Sequence, residues 1–362
     1  KGVNLAGQIA LAWLLGGEEW GAVAMALTVT SFVQLIEQAG LREVLIHRSR
    51  RFHRWANAAF WMSVATGLVA GLLLVSLAPM AAKFYGEPQV QGLLLVLAVS
   101  APFNALGIVP DAQLSAQLRF KFLANLGLTN NVAQMVLTVA FAAAGFGAYS
   151  FVVPRPIIAV AQTAVLWWVA RPRIRLHPQF RRWRLLWGDS VFMLGAAALA
   201  TAVNIGDYIL IGRLISTESL GLYFFAFRFA IQAVILLTGN LAKVLFPALA
   251  TLHDDPVRQV QAYLRGAGLL AMLVVPVCVI QAAAADPLVR LVFPGRWYGA
   301  IPLAQLLSLA MAFSAVHSTT ASLLRAQGRF KTVFRLAVLQ CAIFYPLVAA
   351  GIVYASVMGV AI

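Results

Sequence analysis

The chain has 362 residues, of which 62% are hydrophobic and 11% charged, and its mean hydropathy is +0.85. At that composition the polar residues are too few to cover a soluble domain, so lipid must be the solvent for most of the chain. The net charge of +15 does not indicate nucleic acid, because the cations sit in short clusters between apolar runs and not on one face beside aromatic platforms.

A helix of about 20 apolar residues crosses a bilayer. Eleven runs of that kind follow one another, near 1–15, 22–40, 55–83, 89–117, 123–144, 148–170, 187–212, 219–249, 258–284, 299–324 and 332–356, the first of them cut short. Proline recurs inside them, at Pro79, Pro102, Pro110, Pro154, Pro156, Pro247, Pro276 and Pro346 for example. Membrane helices tolerate such breaks where neighbours or water satisfy the freed backbone groups. Alternate loops collect the charge. Segments 41–54, 118–122, 170–186, 251–265 and 325–335 hold 19 basic residues, while the other set holds Lys83, Arg213, Arg290 and Arg296. The positive-inside rule puts the first set in the cytoplasm. The longest connection, 170–187, mixes Arg181, Arg182 and Arg184 with Phe180, Trp183 and Trp187. It reads either as an interfacial amphipathic segment or as a linker between lobes. Cys278 and Cys341 lie in apolar runs and provide neither a disulfide framework nor metal-ligand spacing.

The chain is internally duplicated. Leu14, Glu18, Gly21, Ala26, Leu41, Val44 and Leu45 return 200 residues later as Leu214, Glu218, Gly221, Ala226, Leu241, Val244 and Leu245. At an offset of 210, Ala116, Gln117, Arg119, Phe120 and Lys121 return as Ala326, Gln327, Arg329, Phe330 and Lys331. Six helices separate the copies, an even number, so both enter the membrane in the same direction. The expected fold is an all-α polytopic membrane protein of two six-helix lobes in parallel repeat. The N-lobe is placed at 1–172, a basic cytoplasmic linker at 173–186 and the C-lobe at 187–362. The offset also implies truncation at both ends, with roughly 14 residues absent at the front and the last helix of the second lobe absent at the back.

The run GEEWGAVAMA (17–26), then GLREVLIHR (40–48), AAFWMSVATGLVAGLLL (58–74), APMAAKFYGEPQV (78–90), GDYILIGRLISTESLGLYFFAFR (206–228), FPALATLHDD (246–255) and LLRAQGRF (323–330) carry a resemblance in their order and spacing. Together they resemble the polysaccharide exporters of the multidrug/oligosaccharidyl-lipid/polysaccharide flippase superfamily, nearest the Wzx-type branch that exports colanic-acid-like repeats. The resemblance implies twelve to fourteen helices and a bacterial inner-membrane location. It also implies a substrate of undecaprenyl-diphosphate-linked oligosaccharide, and a setting beside polysaccharide polymerase or export machinery. The segment VVPRPII (152–158), with Arg155 between two prolines, departs from the pattern.

Charges inside spans cost about 2.5–3.5 kcal/mol each at mid-helix, and they default to protein interior or wet cavities. Here the bases are Arg155, Arg228 and Lys243 and the acids Glu37, Asp111, Asp189 and Asp207. At about 100° per residue, Arg228, Gln232, Gly239, Asn240 and Lys243 share an arc of roughly 120° on the eighth helix. A diphosphate would be held by such a stripe through charge-assisted hydrogen bonds. Asn204 and Asp207 on the seventh helix and Ser318 on the tenth complete the expected cavity. A structural reading stays open beside it, in which Asp207 and Arg228 pair across a hairpin and Lys243 snorkels to the interface.

The expected function is a flippase that moves lipid-linked oligosaccharide from the cytoplasmic to the periplasmic face by alternating access. A multidrug cation exporter is the alternative, but that function calls for acids on the central stripe. An enzyme is disfavoured because no paired carboxylates, metal cluster or phosphate-cradling loop is present. No catalytic residue, metal or cofactor is expected, and membrane lipids are the surrounding partners.

Overall fold

The computed structural model describes residues 2–38, 41, 45, 52–172, 174, 180–238, 255–327 and 330–361, with side-chain detail at most of them. Among the described residues there is no strand. Eleven long helices run in order: α1 Gly2–Leu14, α2 Gly17–Gln38, α3 Phe52–Tyr85, α4 Gln89–Ala116, α5 Phe120–Ala143, α6 Pro154–Ala170, α7 Phe180–Leu214, α8 Thr217–Thr238, α9 Pro256–Val292, α10 Ile301–Ala326 and α11 Phe330–Ala361. A one-turn helix, Tyr149–Val152, leads into α6, and a 3-10 helix, Gly295–Ala300, leads into α10. Each expected span overlaps one of these helices, and the part of the eighth at 239–249 lies outside the described residues. Eight segments are long and apolar enough to cross a membrane, a count restricted to the described residues. Large apolar side chains such as Leu72 and Met80 on α3, Met272 and Ile280 on α9, and Leu347 and Val353 on α11 are exposed. That is the surface of a multi-pass protein solvated by lipid.

The duplication reappears in the element boundaries. Helices α2 and α8 start at Gly17 and Thr217. At the other offset, α4 and α10 end at Ala116 and Ala326.

The chain divides into two compact units, residues 1–15 with 22–205 and residues 16–21 with 206–362. In the first unit, α3 packs along α4 and α6 packs on α4, with Phe60 of α3 edge-on to Trp167 of α6 at 5.6 Å between centroids. Helix α4 contains Pro102 and Pro110. Pro110 has no N–H for the Leu106 carbonyl four residues back, and the indole Nε1–H of Trp167 on α6 donates to that carbonyl at 3.0 Å. The Thr163 hydroxyl donates to the Phe103 carbonyl at 2.7 Å, and the Gln113 side-chain amide donates to the Ala170 carbonyl at 2.9 Å. Three side-chain bonds therefore clamp α4 to α6 along its length. The VPRP segment finds its reason here too. Pro154 and Pro156 fall in the first turn of α6, where a missing N–H costs nothing and the fixed φ favours helix.

In the second unit, α9 packs along α10, and α8 packs on α10. Trp20, 1% exposed, fills the centre of an aromatic cluster. Its ring meets Phe224, Phe225 and Trp297 edge-on at 5.9, 5.8 and 5.5 Å between centroids. Beside it two backbones cross without side chains between them. A Cβ on Gly21 would strike the Thr217 carbonyl, and a Cβ on Gly221 would strike the Gly17 carbonyl. Both segments carry small residues four apart, Gly17 with Gly21 and Thr217 with Gly221, the spacing that lets membrane helices approach closely. Under the 200-residue offset each contact maps onto the other.

Candidate functional site

Two groups of polar side chains stand out against the apolar helices, one in each unit. In the second unit the chemistry sits on α7 and α8. Asp207 is 7% exposed. Its Oδ2 accepts the Tyr223 hydroxyl at 2.7 Å and its Oδ1 accepts the Tyr208 backbone N–H at 2.9 Å. Tyr208 in turn packs edge-on against Tyr223, Phe224 and Phe227, with centroids 5.8, 5.7 and 5.9 Å away. Arg228 is half-buried, and its guanidinium lies over the Phe224 ring, 4.9 Å from the centroid. The ion pair between Asp207 and Arg228 that the sequence leaves open is not formed. The carboxylate is committed to two tyrosines, and Arg228 has no carboxylate partner among the described residues. A guanidinium held by an aromatic face keeps its N–H donors available for an incoming anion.

Of the other expected cavity residues, Gln232 lies one turn beyond Arg228 on α8 and is half-buried, while Asn204 is exposed one turn before Asp207 on α7. Lys243 and Asn240 lie outside the described residues, and Ser318 lies on α10 at a position whose side chain is not described. Among the described residues no three His, Cys, Asp or Glu side chains gather as metal ligands.

The first unit holds a polar recess between α2, α4 and α6. One chamber, of about 370 Å³, is lined by Gln34 and Glu37 from α2, Asn104 and Asp111 from α4, and Gln162 and Thr163 from α6. An adjoining chamber of about 280 Å³ shares Gln34, Asn104 and Gln162 and adds Ser100, Gln134 and Arg155. Glu37, 6% exposed, is hydrogen-bonded to the Asn104 side chain. Three in-span charges noted separately in the sequence, Glu37, Asp111 and Arg155, thus line two chambers that share Gln34, Asn104 and Gln162, and the double-proline start of α6 sets the position of Arg155. The amides Gln34, Asn104, Gln134 and Gln162 do not stand out from the sequence by charge. Their signal is spacing. Ser100, Asn104, Gly107 and Asp111 fall on one face of α4, as Arg155, Gln162 and Leu166 do on α6.

A family model described as polysaccharide biosynthesis protein matches residues 10–302. The succinoglycan biosynthesis transport protein ExoT of Rhizobium meliloti (strain 1021) is 26% identical over 348 residues, covering 96% of this chain and 70% of ExoT. The teichuronic acid biosynthesis protein TuaB of Bacillus subtilis (strain 168) is 26% identical over 312 residues, covering 84% of this chain and 64% of TuaB. The chain thus spans about two-thirds of the length of these relatives. Among solved structures, the lipid II flippase MurJ in an inward closed conformation superposes with a TM-score of 0.82 at 12% identity, covering 99% of this chain and 81% of MurJ. At that identity the likeness concerns the fold. The relative and the structural neighbour whose names state an activity are a transport protein and a flippase, not enzymes.

Proposed function

Because the chain belongs to the polysaccharide biosynthesis protein family, we propose that it is a flippase for polyprenyl-diphosphate-linked oligosaccharide. It acts in the bacterial inner membrane and moves its substrate from the cytoplasmic to the periplasmic face. The observation that carries this reading is Arg228, a half-buried guanidinium with no carboxylate partner among the described residues, resting on Phe224. A diphosphate fits that vacancy of charge, since Arg binds phosphate oxygens through paired, charge-assisted hydrogen bonds. Gln232, one turn beyond Arg228 on α8, is the next proposed contact, and Asn204, Ser318, Asn240 and Lys243 are the further candidates. Asp207, through the Tyr223 hydroxyl, ties α7 to the helix that presents Arg228. The lobes of this reading are 1–172 and 187–362, joined by the basic segment 173–186. The membrane potential assists outward movement of an anionic headgroup by about 2.3 kcal/mol per charge per 100 mV. A polysaccharide polymerase is the proposed downstream partner.

A multidrug cation exporter is the rival reading. Glu37 and Asp111 lean that way, but they share their recess with Arg155 and four amides, and the family match points to polysaccharide. The deciding experiment is reconstitution of the chain in vesicles with a fluorescent polyprenyl-diphosphate oligosaccharide. Added quencher should reach the inner-leaflet probe much faster than in empty vesicles. A rate equal to that of empty vesicles, alongside efflux of a lipophilic cation, would replace this reading with the exporter.

A further inference from the structure

We propose that the recess between α2, α4 and α6 is a subsite for one uncharged, hexose-sized unit of the glycan. This rests on the flippase reading above.

Its size comes first. A chamber of about 370 Å³ falls within the range of small-molecule sites, roughly 300–1,000 Å³. It exceeds by an order of magnitude the ~30 Å³ share of a water molecule, and so exceeds what a bare ion needs. The second chamber, about 280 Å³, opens beside it.

The lining chemistry narrows the ligand. Gln34, Asn104 and Gln162 belong to both chambers, so a layer of primary amides forms the shared wall. Each amide presents donors and an acceptor together, which matches a hydroxyl group that both donates and accepts. Glu37 and Asp111 line one end and Arg155 the other. Phosphate is disfavoured beside the two carboxylates, and a cation is disfavoured beside the guanidinium. A neutral, polyhydroxylated ring avoids both conflicts and satisfies every class of lining group. A carboxylate accepts hydrogen bonds from neighbouring hydroxyls, amides bridge, and a guanidinium donates.

The frame is rigid where a subsite needs it to be. Thr163 and Trp167 are bonded to α4 carbonyls at 2.7 and 3.0 Å, so the α4 and α6 walls are fixed relative to each other. Asn104 is hydrogen-bonded to Glu37, which ties α4 to α2.

The test uses the purified chain in lipid nanodiscs and two probes, polyprenyl diphosphate carrying one uncharged hexose and bare polyprenyl diphosphate. The wild type should bind the hexose-bearing lipid more tightly. Asn104→Leu and Gln162→Met should each weaken the hexose-bearing lipid about tenfold and leave the bare lipid unchanged. Gln113→Leu removes an amide committed to the Ala170 carbonyl and outside both chambers. It should lower the melting temperature while preserving the preference for hexose. Because the readout is the ratio of two lipids on one protein, a variant that merely misfolds loses both and is recognised as such; Gln162→Asn, which keeps the amide, should then retain part of the preference.

Equal binding of the two lipids by the wild type overturns the subsite while leaving the flippase reading intact. Failure of the wild type to bind either lipid overturns both. An unchanged hexose preference in folded Asn104→Leu and Gln162→Met, with an altered dependence on sodium or pH, overturns the subsite in favour of an ion site.

Discussion

Substituting Arg228 separates a substrate contact from a structural one, because the two readings differ in which property falls. In the structure the guanidinium is 4.9 Å from the Phe224 centroid and has no carboxylate partner among the described residues. Arg228→Ala therefore removes one cation–π contact from the fold, about 0.5–2 kcal/mol. At roughly 2–4 °C per kcal/mol for a domain of this size, the melting temperature should fall by about 1–8 °C. A structural ion pair with Asp207 would instead cost 3–5 kcal/mol on losing one partner, since it leaves a buried charge uncompensated. Function should respond far more strongly. A hydrogen bond to a charged group contributes about 1.5–3 kcal/mol, so affinity for bare polyprenyl diphosphate should drop roughly ten- to hundredfold. Arg228→Lys keeps the charge but loses the planar fork, and should recover only part of that loss. The assay is lipid binding in nanodiscs together with thermal unfolding of the same samples. Arg228→Ala with wild-type affinity and a strongly lowered melting temperature would refute the assignment.

The other predictions address the frame. Gly21→Ala and Gly221→Ala should each destabilise by about 1–3 kcal/mol through overpacking. The double variant should cost less than the sum, because either methyl already forces the same crossing apart; strict additivity in thermal unfolding would mean the contacts are independent. Tyr223→Phe leaves Asp207 without its 2.7 Å donor and should cost about 1–3 kcal/mol. Exchanging the charges as Asp207→Arg with Arg228→Asp should not restore activity, and restored activity would show that the two residues pair after all. Cysteine placed at Arg119 should label only from the cytoplasmic side and at Arg290 only from outside; the opposite pattern would reverse the orientation.

Much of the scaffold is legible from hydrophobic period and repeat alone. The boundaries that move do so for local reasons. The ninth span, expected to end near 284, continues to Val292. Its last turns carry Asp286 and Arg290, which bond at 2.8 Å along the helix surface, so polarity there marks a helix end emerging from lipid and not a loop. Helix α7 begins at Phe180, so the basic aromatic segment expected as a linker supplies its first turns. The recess was less legible. Asn and Gln are cheaper to insert than charges, so an inventory of in-span charge passes over Gln34, Asn104, Gln134 and Gln162. Their meeting also depends on how α2, α4 and α6 are rotated, which Trp167, Thr163 and the prolines of α4 and α6 decide. Arg155 was visible, but its purpose depends on knowing that the two prolines flanking it begin a helix.

The repeat allows a sharper statement about where the chemistry came from. Positions that set backbone approach are kept between copies: Gly21 and Gly221 are identical, and Gly17 corresponds to Thr217, another small residue. Positions that carry chemistry are not kept. At the same offset Arg228 corresponds to Thr28 and Asp207 to Gly7, while Gln34 and Glu37 correspond to Val234 and Leu237. At the offset of 210, Asn104 and Asp111 correspond to Ser314 and Ala321. Gln34, Glu37, Asn104 and Asp111 thus have no amide or carboxylate counterpart in the second copy, and Arg228 has no cationic counterpart in the first. Since an in-span polar residue is costly unless it is used, each copy carries its own chemistry, and under the function proposed above the amides suit a neutral glycan and the guanidinium an anionic diphosphate. Transplanting the first copy's residues into the second, as Val234→Gln with Leu237→Glu, should therefore add insertion cost and no binding, because α10 offers Ser314 and Ala321 in place of Asn104 and Asp111. A gain in affinity for the hexose-bearing lipid in that variant would contradict the division of labour.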